Sequence, residues 1–257
     1  MQDLIVHAIQ EDLIWENEKA NLELFEQRIS EIGESDLILL PEMFNTGFTM
    51  NPESNANGEP GPVLEWMSGQ AESAGSVICG STIVQVNGSY FNRLYWCRPD
   101  GSYESYNKRH LFSLAGEEKV YSAGDSIIQT EIKGWKIRPL ICYDLRFPVW
   151  CRNDSQYDLL LFVANWPQRR IMHWDKLLVA RAIENQAFVV GLNRVGNDGN
   201  QIYHNGSSQF ISPQGEVMDQ LCDESGILEQ HLHYEEITTY RNYLAALEDG
   251  DKFTLDL

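Results

Sequence analysis

An alternation of short apolar runs with amphipathic segments constrains the fold of this 257-residue chain more than any other feature. Residues 3–10 form an apolar run suited to a buried strand, and residues 36–40 form a second one. Between them, residues 17–32 place apolar side chains three and four positions apart, which predicts an amphipathic helix. These side chains are Leu22, Phe25, Ile29 and Ile32. This strand–helix–strand opening predicts a domain in which sheet and helix are layered together.

The rest of the chain continues the alternation without an internal linker, a low-complexity segment or a repeat. We therefore predict a single α/β domain over residues 1–257. Among its later elements we expect strands near residues 126–132 and 188–195. A final helix near residues 234–247 leads into an acidic tail. We expect this C-terminal segment, about 234–257, to pack on the body or on a partner subunit rather than to do chemistry.

The formal net charge of −19 limits the partners of the chain. It argues against nucleic acid and anionic membranes, which both need clustered lysine and arginine. No apolar run approaches the ~20 residues of a membrane span, and no signal pattern opens the sequence. Five cysteines without a Cys-x-x-Cys pair indicate reduced thiols, and the pair His231 and His233 fits one face of a strand better than a zinc site. We therefore expect a cytoplasmic protein without a metal.

A cysteine ends the apolar, strand-like run of residues 135–141. Polar residues follow Cys142 at once, and Pro148 then restricts the chain toward a turn or a helix start. A side chain at such a strand-to-helix turn projects off the edge of a sheet, where the amides of the next turn can face the same point. Cys142 is therefore a candidate nucleophile. The alternative is a buried cysteine that closes a core strand.

Two further strand ends carry the groups that a nucleophilic cysteine would need. Glu42 follows the apolar run of residues 36–40, and Lys108 follows a strand over residues 102–107. A carboxylate base, a cation for developing negative charge and a thiol are the parts of thiol acyl transfer. Each feature also has a structural alternative, since Glu42 could cap a helix and Lys108 could lie at a solvated strand end. Whether the three side chains meet cannot be read from the spacing.

Three segments of the sequence resemble the signature regions of the nitrilase (carbon–nitrogen hydrolase) superfamily, in the order of that family. They are residues 41–44 (PEMF), 107–112 (NKRHLF) and 141–148 (ICYDLRFP). Three downstream segments resemble its ω-amidase (2-oxoglutaramate amidase) branch. They are residues 164–167 (ANWP), 180–186 (ARAIENQ) and 193–196 (NRVG).

The resemblance implies a fold, a chemistry and a role for each matching residue. The fold would be a four-layer α-β-β-α sandwich, usually paired as a homodimer or a larger assembly. Cys142 would be the nucleophile, Glu42 the general base and Lys108 the charged partner of the tetrahedral intermediate. The Tyr143 backbone amide would be a second oxyanion donor. A further glutamate that positions substrate falls on Glu117 or Glu118, with Glu117 preferred, and neither a metal nor an organic cofactor is needed.

The same resemblance implies a small-molecule amide substrate and water. An ω-amidase cleaves the terminal carboxamide of a 2-oxo dicarboxylic acid monoamide, such as 2-oxoglutaramate or 2-oxosuccinamate, to a carboxylate and ammonia. The distal carboxylate needs a cation, and the candidates are Arg146, Arg169 and Arg170. Arg146 has a structural alternative, a pair with Asp144. Further candidates for the pocket wall are Phe44, Phe112, Asn165 and Trp166, although aromatic side chains near strand ends are commonly core.

Three other functions compete with the ω-amidase hypothesis. The first is another activity of the superfamily, on an aliphatic amide, a nitrile or an N-carbamoyl compound. A papain-like cysteine peptidase is disfavoured, because no Cys-Gly-Ser-Cys-type segment surrounds Cys142. A non-catalytic binding protein on the same fold is disfavoured because a scaffold has no need to keep Glu42, Lys108 and Cys142 together.

Overall fold

A computed structural model describes residues 2–255, and its first half builds one sheet with helices on its outer face. The strands are β1 (Leu4–Gln10), β2 (Leu37–Leu39), β3 (Val77–Val86), β4 (Ser89–Cys97) and β5 (Tyr103–Asn107). The helices are α1 (Glu18–Ser30), the short α2 (Pro52–Asn55) and α3 (Pro62–Ala74). Two 3₁₀ turns follow, at Ser113–Ala115 and Glu117–Lys119.

The second half builds the other sheet, the edge strand β13 of the first sheet and the remaining helices. Its strands are β6 (Thr130–Ile132), β7 (Trp135–Ile141), β8 (Leu159–Val163), β9 (Phe188–Leu192), β10 (Val195–Asn197), β11 (Tyr203–Ile211), β12 (Val217–Cys222) and β13 (Gly226–Leu232). Its helices are α4 (Ile171–Asn185) and α5 (Tyr234–Tyr243). Two more 3₁₀ turns lie at Cys142–Arg146 and Gln168–Arg170.

Local sequence signals account for the helix ends. The side chain of Asn17 accepts a hydrogen bond from the Ala20 amide (3.2 Å) and so caps the start of α1. Pro62 begins α3, where a missing amide proton costs nothing. The same helix ends at Gly75, whose φ of 63° lies in the left-handed region that glycine adopts without strain.

The strands form two mixed sheets, each with three neighbouring parallel strands at its centre. The first sheet has the order β13-β1-β2-β3-β4-β5, with β1, β2 and β3 parallel. The second has the order β10-β11-β9-β8-β7-β6, with β12 added on β11 and with β7, β8 and β9 parallel. Since a parallel pair needs a crossover, α1 and α3 connect the strands of the first sheet, and α4 connects β8 to β9.

The hydrophobic core lies in three layers between these elements. The outer face of the first sheet packs Ile38 and Ile78 against Phe25 of α1 and Met67 of α3. Its inner face packs on the inner face of the second sheet, whose outer face is covered by α4. The order helix, sheet, sheet, helix confirms the α-β-β-α sandwich that the resemblance implies.

One edge of the sandwich collects the loops that carry the polar signature residues. The loops after β2, β7 and β8 follow the carboxyl ends of parallel strands. The loop after β5 joins them, because β5 runs antiparallel to β4, which itself runs antiparallel to β3. Carboxyl ends of parallel strands are where ligand sites of α/β proteins form.

Three predicted elements are shorter than expected. Only Thr130–Ile132 of residues 126–132 pairs with β7. The strand expected over residues 188–195 breaks between β9 and β10, because the Asn193 side chain accepts hydrogen bonds from the amides of Trp166 (2.7 Å) and Arg194 (2.9 Å). The last helix ends at Tyr243, after which the Leu244 carbonyl accepts a hydrogen bond from the Gln186 side chain (2.7 Å).

The C-terminal segment crosses the surface of the body. Arg241 of α5 donates to the Asp158 carboxylate (3.0 Å) and to the Tyr157 carbonyl (2.7 Å), which fixes the helix beside the start of β8. Beyond α5 the chain is mostly exposed as far as residue 255. Over residues 2–255, none of the helices combines the length and the apolar character that crossing a membrane requires.

Gly191 of β9 tests the packing between the second sheet and α4. A Cβ atom at this position would lie 2.5 Å from Leu178 Cδ1 and 2.7 Å from Trp174 Cζ2. We expect Gly191→Ala to lower the free energy of unfolding by about 1–3 kcal/mol, since overpacking forces side chains off their rotamers. Urea titration measures the change. Gly69→Ala is the matched control. Gly69 is an exposed residue of α3, and a Cβ atom there would have no neighbouring atom within 4 Å. This substitution should therefore be neutral or stabilising.

Candidate active site

A buried ammonium lies between two carboxylates at this edge of the sandwich. Lys108 Nζ donates to Glu42 Oε1 (2.8 Å) and to both oxygens of Glu117 (3.0 and 2.9 Å). All three side chains are fully buried. The Lys108 ammonium also lies 5.0 Å from the centre of the Phe48 ring.

The charges of this cluster shift each other's proton affinity. Burial alone would lower the pKa of the Lys108 ammonium, but the carboxylates of Glu117 and Glu42 overcome it and raise the pKa above its ordinary value. Burial raises the pKa of Glu117, and the charge of Glu42 adds to the rise while that of Lys108 opposes it. A buried cation with two anionic partners therefore stays charged.

Cys142 stands at the start of the 3₁₀ turn that follows β7. Its φ of 41° places it in the left-handed region, which costs a non-glycine residue of order 1 kcal/mol. The Asp144 carboxylate accepts a hydrogen bond from the Ile141 amide (3.1 Å), and Arg181 of α4 donates to the Leu145 carbonyl (2.7 Å). These bonds hold the turn that gives Cys142 its conformation.

The Asp144 carboxylate also joins this turn to the loop that carries Lys108. Its Oδ1 accepts hydrogen bonds from the His110 amide (3.0 Å) and lies 2.8 Å from His110 Nδ1. Its Oδ2 accepts one from the Tyr106 hydroxyl (2.7 Å). The His110 ring stacks on Phe147 with centroids 3.6 Å apart. Asp144 therefore sets the position of Cys142 relative to the β5 loop.

The thiol of Cys142 is held in its protonated form. Burial raises its pKa well above the ordinary value, the Glu42 carboxylate adds to the rise, and the Lys108 charge opposes it. A thiol beside a carboxylate that can accept its proton needs only a short proton transfer to become a nucleophile.

The Glu42 carboxylate has three fixed hydrogen-bond donors. Its Oε1 accepts from Lys108 and from Asn92 Nδ2 (2.8 Å), and its Oε2 accepts from the Asn165 amide (2.9 Å). Asn165 Nδ2 also donates to the Glu42 carbonyl (2.5 Å). Since a carboxylate offers about four acceptor positions, one position on Oε2 is left for a proton from the thiol.

Cys142 opens into a cavity of about 520 Å³ with walls of different character. The lining of this cavity includes three cations, Arg146, Arg169 and Arg170. It also includes acidic, amide and aromatic groups from the loops after β1 and β10 and from the start of β11. These are Trp15, Glu16, Asp198, Asn200 and His204.

The family model of carbon-nitrogen hydrolases matches residues 6–242 of the chain. The chain belongs to the carbon–nitrogen hydrolase family. It is therefore a hydrolase of carbon–nitrogen bonds other than peptide bonds, as the signature segments predict.

Relatives of this hydrolase cover nearly its whole length. It is 41% identical over 256 residues to the omega-amidase YafV of Escherichia coli K12, which covers 99% of this chain and 100% of the relative. It is 32% identical over 250 residues to the 2-oxoglutaramate amidase of Bacillus subtilis 168, covering 95% and 96%. The crystal structure of XC1258 from Xanthomonas campestris, a CN-hydrolase superfamily protein with an arsenic adduct in its active site, superposes with a TM-score of 0.97 at 38% identity, with full coverage of both chains.

The predicted site residues of the hydrolase fall into two groups. Glu42, Lys108, Cys142 and Glu117 meet in the buried cluster. Around the cavity lie the other residues that the structure brings together, namely Phe112, Tyr143, Arg146, Asn165, Trp166 and Arg169. Tyr143 follows the thiol directly in the chain, and its ring packs 5.0 Å from that of Phe112. The choice between adjacent glutamates is resolved in position, since Glu118 is exposed and Glu117 contacts Lys108.

The prediction that Phe44 lines the pocket is wrong. Phe44 is fully buried on the other face of the first sheet, where its ring packs against Phe25 (5.6 Å) and Trp66 (5.7 Å). The chain turns sharply at Met43, whose φ is 45°, so that neighbouring side chains point to different sides. The alternative pairing of Arg146 with Asp144 is not formed either, because Asp144 binds Tyr106, His110 and the Ile141 amide instead.

Asn92 is the site residue that sequence reasoning missed. It is fully buried in β4 and donates to Glu42 (2.8 Å) while lying 3.5 Å from Glu117 Oε1. The sequence does contain a pattern that indicates its position. Side chains two residues apart in a strand lie on the same face, so Asn92 lies on the face of Leu94 and Trp96, toward the core between the sheets. A polar side chain in that register needs a polar partner.

The residues of this hydrolase between positions 2 and 255 include no cluster of three or more His, Cys, Asp or Glu side chains arranged to hold a metal ion. The charged groups at the site are instead satisfied by each other and by amide donors.

Asn92 is expected to support the reaction through Glu42. We expect Asn92→Ala to lower kcat for amide hydrolysis by about 10- to 100-fold, the cost of losing a hydrogen bond to a charged group. Ammonia release measures the rate, and urea unfolding at the same pH separates a stability defect from a catalytic one. Asn242→Ala, at an exposed position of α5, is the control. A kcat for Asn92→Ala within twofold of the unmodified enzyme would contradict the prediction.

His204 gives the hydrolase a specific pH dependence of stability. Burial and the charge of Arg194 lower the pKa of His204 to about 4. In the unfolded chain the imidazole titrates near pH 6.5. Between pH 6.5 and pH 4 the unfolded state therefore binds a proton that the folded state does not bind. Stability should fall over this window by up to about 3 kcal/mol on account of this group.

We expect His204→Gln to remove that part of the acid sensitivity. Urea unfolding at pH 7 and pH 4 measures the difference for each variant. His231→Gln, at an exposed position, should retain the pH dependence of the unmodified protein. Equal pH dependence of all three proteins would show that His204 does not contribute.

Proposed function

We propose that this carbon–nitrogen hydrolase is an ω-amidase that cleaves the terminal carboxamide of a 2-oxo dicarboxylic acid monoamide, such as 2-oxoglutaramate, to a carboxylate and ammonia. The observation that carries the proposal is the buried Glu42–Lys108–Cys142 cluster opening into a cavity with arginines on its wall. The names of the Escherichia coli and Bacillus subtilis relatives support the same substrate class.

In the proposed reaction the substrate carbonyl oxygen lies against the Lys108 ammonium and the backbone amide of Tyr143. Cys142 Sγ attacks the carbonyl carbon, and the thiol proton passes to the free position on Glu42 Oε2. The resulting oxyanion is stabilised by a fixed cation whose side chain is fully buried, and preorganised charge of this kind is most effective away from bulk water. Asn92 and the Asn165 amide keep the Glu42 carboxylate oriented throughout.

The tetrahedral intermediate then collapses to a thioester. Glu42 returns its proton to the amide nitrogen, the carbon–nitrogen bond breaks, and ammonia leaves. A water molecule, deprotonated by Glu42, attacks the thioester carbon and releases the carboxylate and the free thiol. Such proton transfers by a positioned carboxylate contribute about 10²–10⁴-fold to the rate.

Charge balance supports this use of Glu42. With a neutral thiol, the Lys108 cation and the carboxylates of Glu42 and Glu117 leave one net negative charge in the buried cluster. Moving the thiol proton to Glu42 leaves that net charge unchanged, whereas losing it to solvent would add a second negative charge in a dry site. Glu117 is proposed to keep Lys108 charged and in place while Glu42 changes its protonation state.

The cationic wall favours an anionic substrate over the alternatives within the family. A neutral aliphatic amide or a nitrile gives the three arginines no partner. An N-carbamoyl amino acid has a carboxylate and is the stronger competitor. Ammonia release from 2-oxoglutaramate, an aliphatic amide, a nitrile and an N-carbamoyl amino acid separates these activities, and 2-oxoglutaramate should give the highest kcat/KM.

Cys142→Ala tests the thioester mechanism. We expect hydrolysis of 2-oxoglutaramate to fall at least 10⁴-fold, since the nucleophile is removed. Cys222→Ala removes an exposed thiol and should retain the rate of the unmodified enzyme. In a mass spectrum of the acid-quenched reaction, a covalent acyl adduct should appear on the unmodified enzyme and on Cys222→Ala, but not on Cys142→Ala. Hydrolysis by Cys142→Ala at the unmodified rate would disprove the mechanism.

We further propose a cytoplasmic homodimer made of a single domain over residues 1–257. Reduced cysteines support the location, since all five are free thiols. Exposed apolar side chains support pairing, among them Val149 after the 3₁₀ turn at Cys142–Arg146, Ile183 near the end of α4 and Leu244 just beyond α5. Light scattering on the intact protein measures the assembly.

A further inference from the structure

The arginines of the active-site cavity differ from every other arginine in residues 2–255. Each of the others donates to a carboxylate or a carbonyl oxygen of the protein. These are Arg28, Arg93, Arg98, Arg109, Arg138, Arg152, Arg181, Arg194 and Arg241. Within the same described residues, the guanidinium groups of Arg146, Arg169 and Arg170 have no oxygen acceptor in the protein.

This lack of partners stands out in so acidic a chain. With a net charge of −19, carboxylates are abundant, yet none of those within residues 2–255 pairs with the three cavity arginines. Grouping cations that repel each other beside an apolar wall costs free energy unless an anion joins them. The cluster is therefore arranged for an anion that arrives from solution.

Arg170 lies near the nucleophile turn, which it approaches through the ring of Phe112. Its guanidinium lies 4.9 Å from the centre of the Phe112 ring, and that ring contacts Tyr143 next to Cys142. Its backbone is fixed, because the Arg170 carbonyl accepts a hydrogen bond from Trp166 Nε1 (2.8 Å). Burial and the charges of Arg169 and Arg146 lower the pKa of Arg170, while Cys142 and Tyr143 favour its charged form.

The other two arginines are placed differently. Arg146 already has a hydrogen-bond acceptor, since it donates to His173 Nδ1 (3.2 Å), and its guanidinium lies 4.6 Å from the Trp166 ring and 5.9 Å from the Tyr143 ring. Arg169 is exposed at the rim. Arg170 is half-buried and has no hydrogen-bond acceptor for its guanidinium among residues 2–255.

We propose that Arg170 binds the carboxylate at the far end of the substrate and thereby selects ω-monoamides of dicarboxylic acids. This inference rests on the proposed function of the same site. The planar guanidinium presents two parallel N–H donors to the two carboxylate oxygens. Phe112 supports its apolar face, and Arg146 adds positive charge from the neighbouring wall. With the carboxylate held there, the carboxamide at the other end of the substrate reaches Cys142.

Two substrates that differ in the charge of the distal group test the proposal. Glutaramate carries the distal carboxylate, and its methyl ester does not. The measured quantity is the ratio of their kcat/KM values for ammonia release. We expect Arg170→Gln to lower this ratio about 10²-fold, the effect of losing a charge-assisted bidentate contact. Arg170→Lys keeps the charge without the paired donors and should give an intermediate ratio.

Two further variants locate the effect. Lys176→Gln removes one positive charge from an exposed position of α4 and should leave the ratio unchanged. Arg146→Gln should lower it less than Arg170→Gln does. A fall for Arg146→Gln as large as that for Arg170→Gln, or no fall for Arg170→Gln, would overturn the assignment.

Alkylation of Cys142 gives a readout that does not depend on catalysis. Iodoacetate and iodoacetamide react with the same sulfur but differ in charge, and mass spectrometry of the Cys142 peptide measures each rate. Arg170→Gln should lower the iodoacetate-to-iodoacetamide ratio about tenfold, since a nearby cation concentrates the anionic reagent. An unchanged ratio would contradict the anion site.

The two experiments separate the failure of the inference from the failure of the proposed function. If the unmodified enzyme releases ammonia neither from these two amides nor from 2-oxoglutaramate, the proposed function fails, while the alkylation ratio still shows whether Arg170 attracts a carboxylate. If glutaramate is hydrolysed and neither ratio responds to Arg170→Gln, the enzyme is an ω-amidase whose selectivity resides elsewhere.

Discussion

The contact between the Lys108 ammonium and the carboxylates of Glu42 and Glu117 is the interaction on which this site depends. None of the three charges could be buried alone, because an isolated ion in the protein interior costs several kcal/mol. Together they tie the loop after β2 to the loop after β5 and to the 3₁₀ turn that follows it. The cluster therefore fixes the edge of the first sheet and creates the field in which the Cys142 thiol lies.

The second sheet contributes by bringing its own loops to this cluster through hydrogen bonds. Asp144 joins the nucleophile turn to the Lys108 loop, and Asn165 joins the loop after β8 to Glu42. Asn193 holds the chain at Trp166 in turn. The break between β9 and β10 belongs to the same arrangement. At this point the Asn193 side chain accepts the hydrogen bonds that backbone carbonyl groups would accept in a continuous strand.

Features that depend on neighbouring residues could be predicted from the sequence, whereas features that depend on partners far away along the chain could not. The ends of β2, β5 and β7 were predictable, because an apolar run stopping at a polar residue is a local pattern. The proximity of Glu42, Lys108 and Cys142 was predictable from the resemblance to the family, but not from the periodicity of the sequence. Phe44 was misplaced because a positive φ at Met43 redirects the chain. Asn92 was overlooked because its two partners lie 50 and 25 residues away along the chain.

The protonated state of Cys142 has a consequence for the resting enzyme. Peroxide attacks thiolates, and thiols with a lowered pKa are the ones that oxidise first to sulfenic acid. Here burial and the Glu42 carboxylate raise the pKa of the thiol, so the contact with Glu42 also disfavours the thiolate, which is the form that oxidants attack. The enzyme thereby keeps a reactive sulfur in an open cavity without the vulnerability of a permanently ionised one.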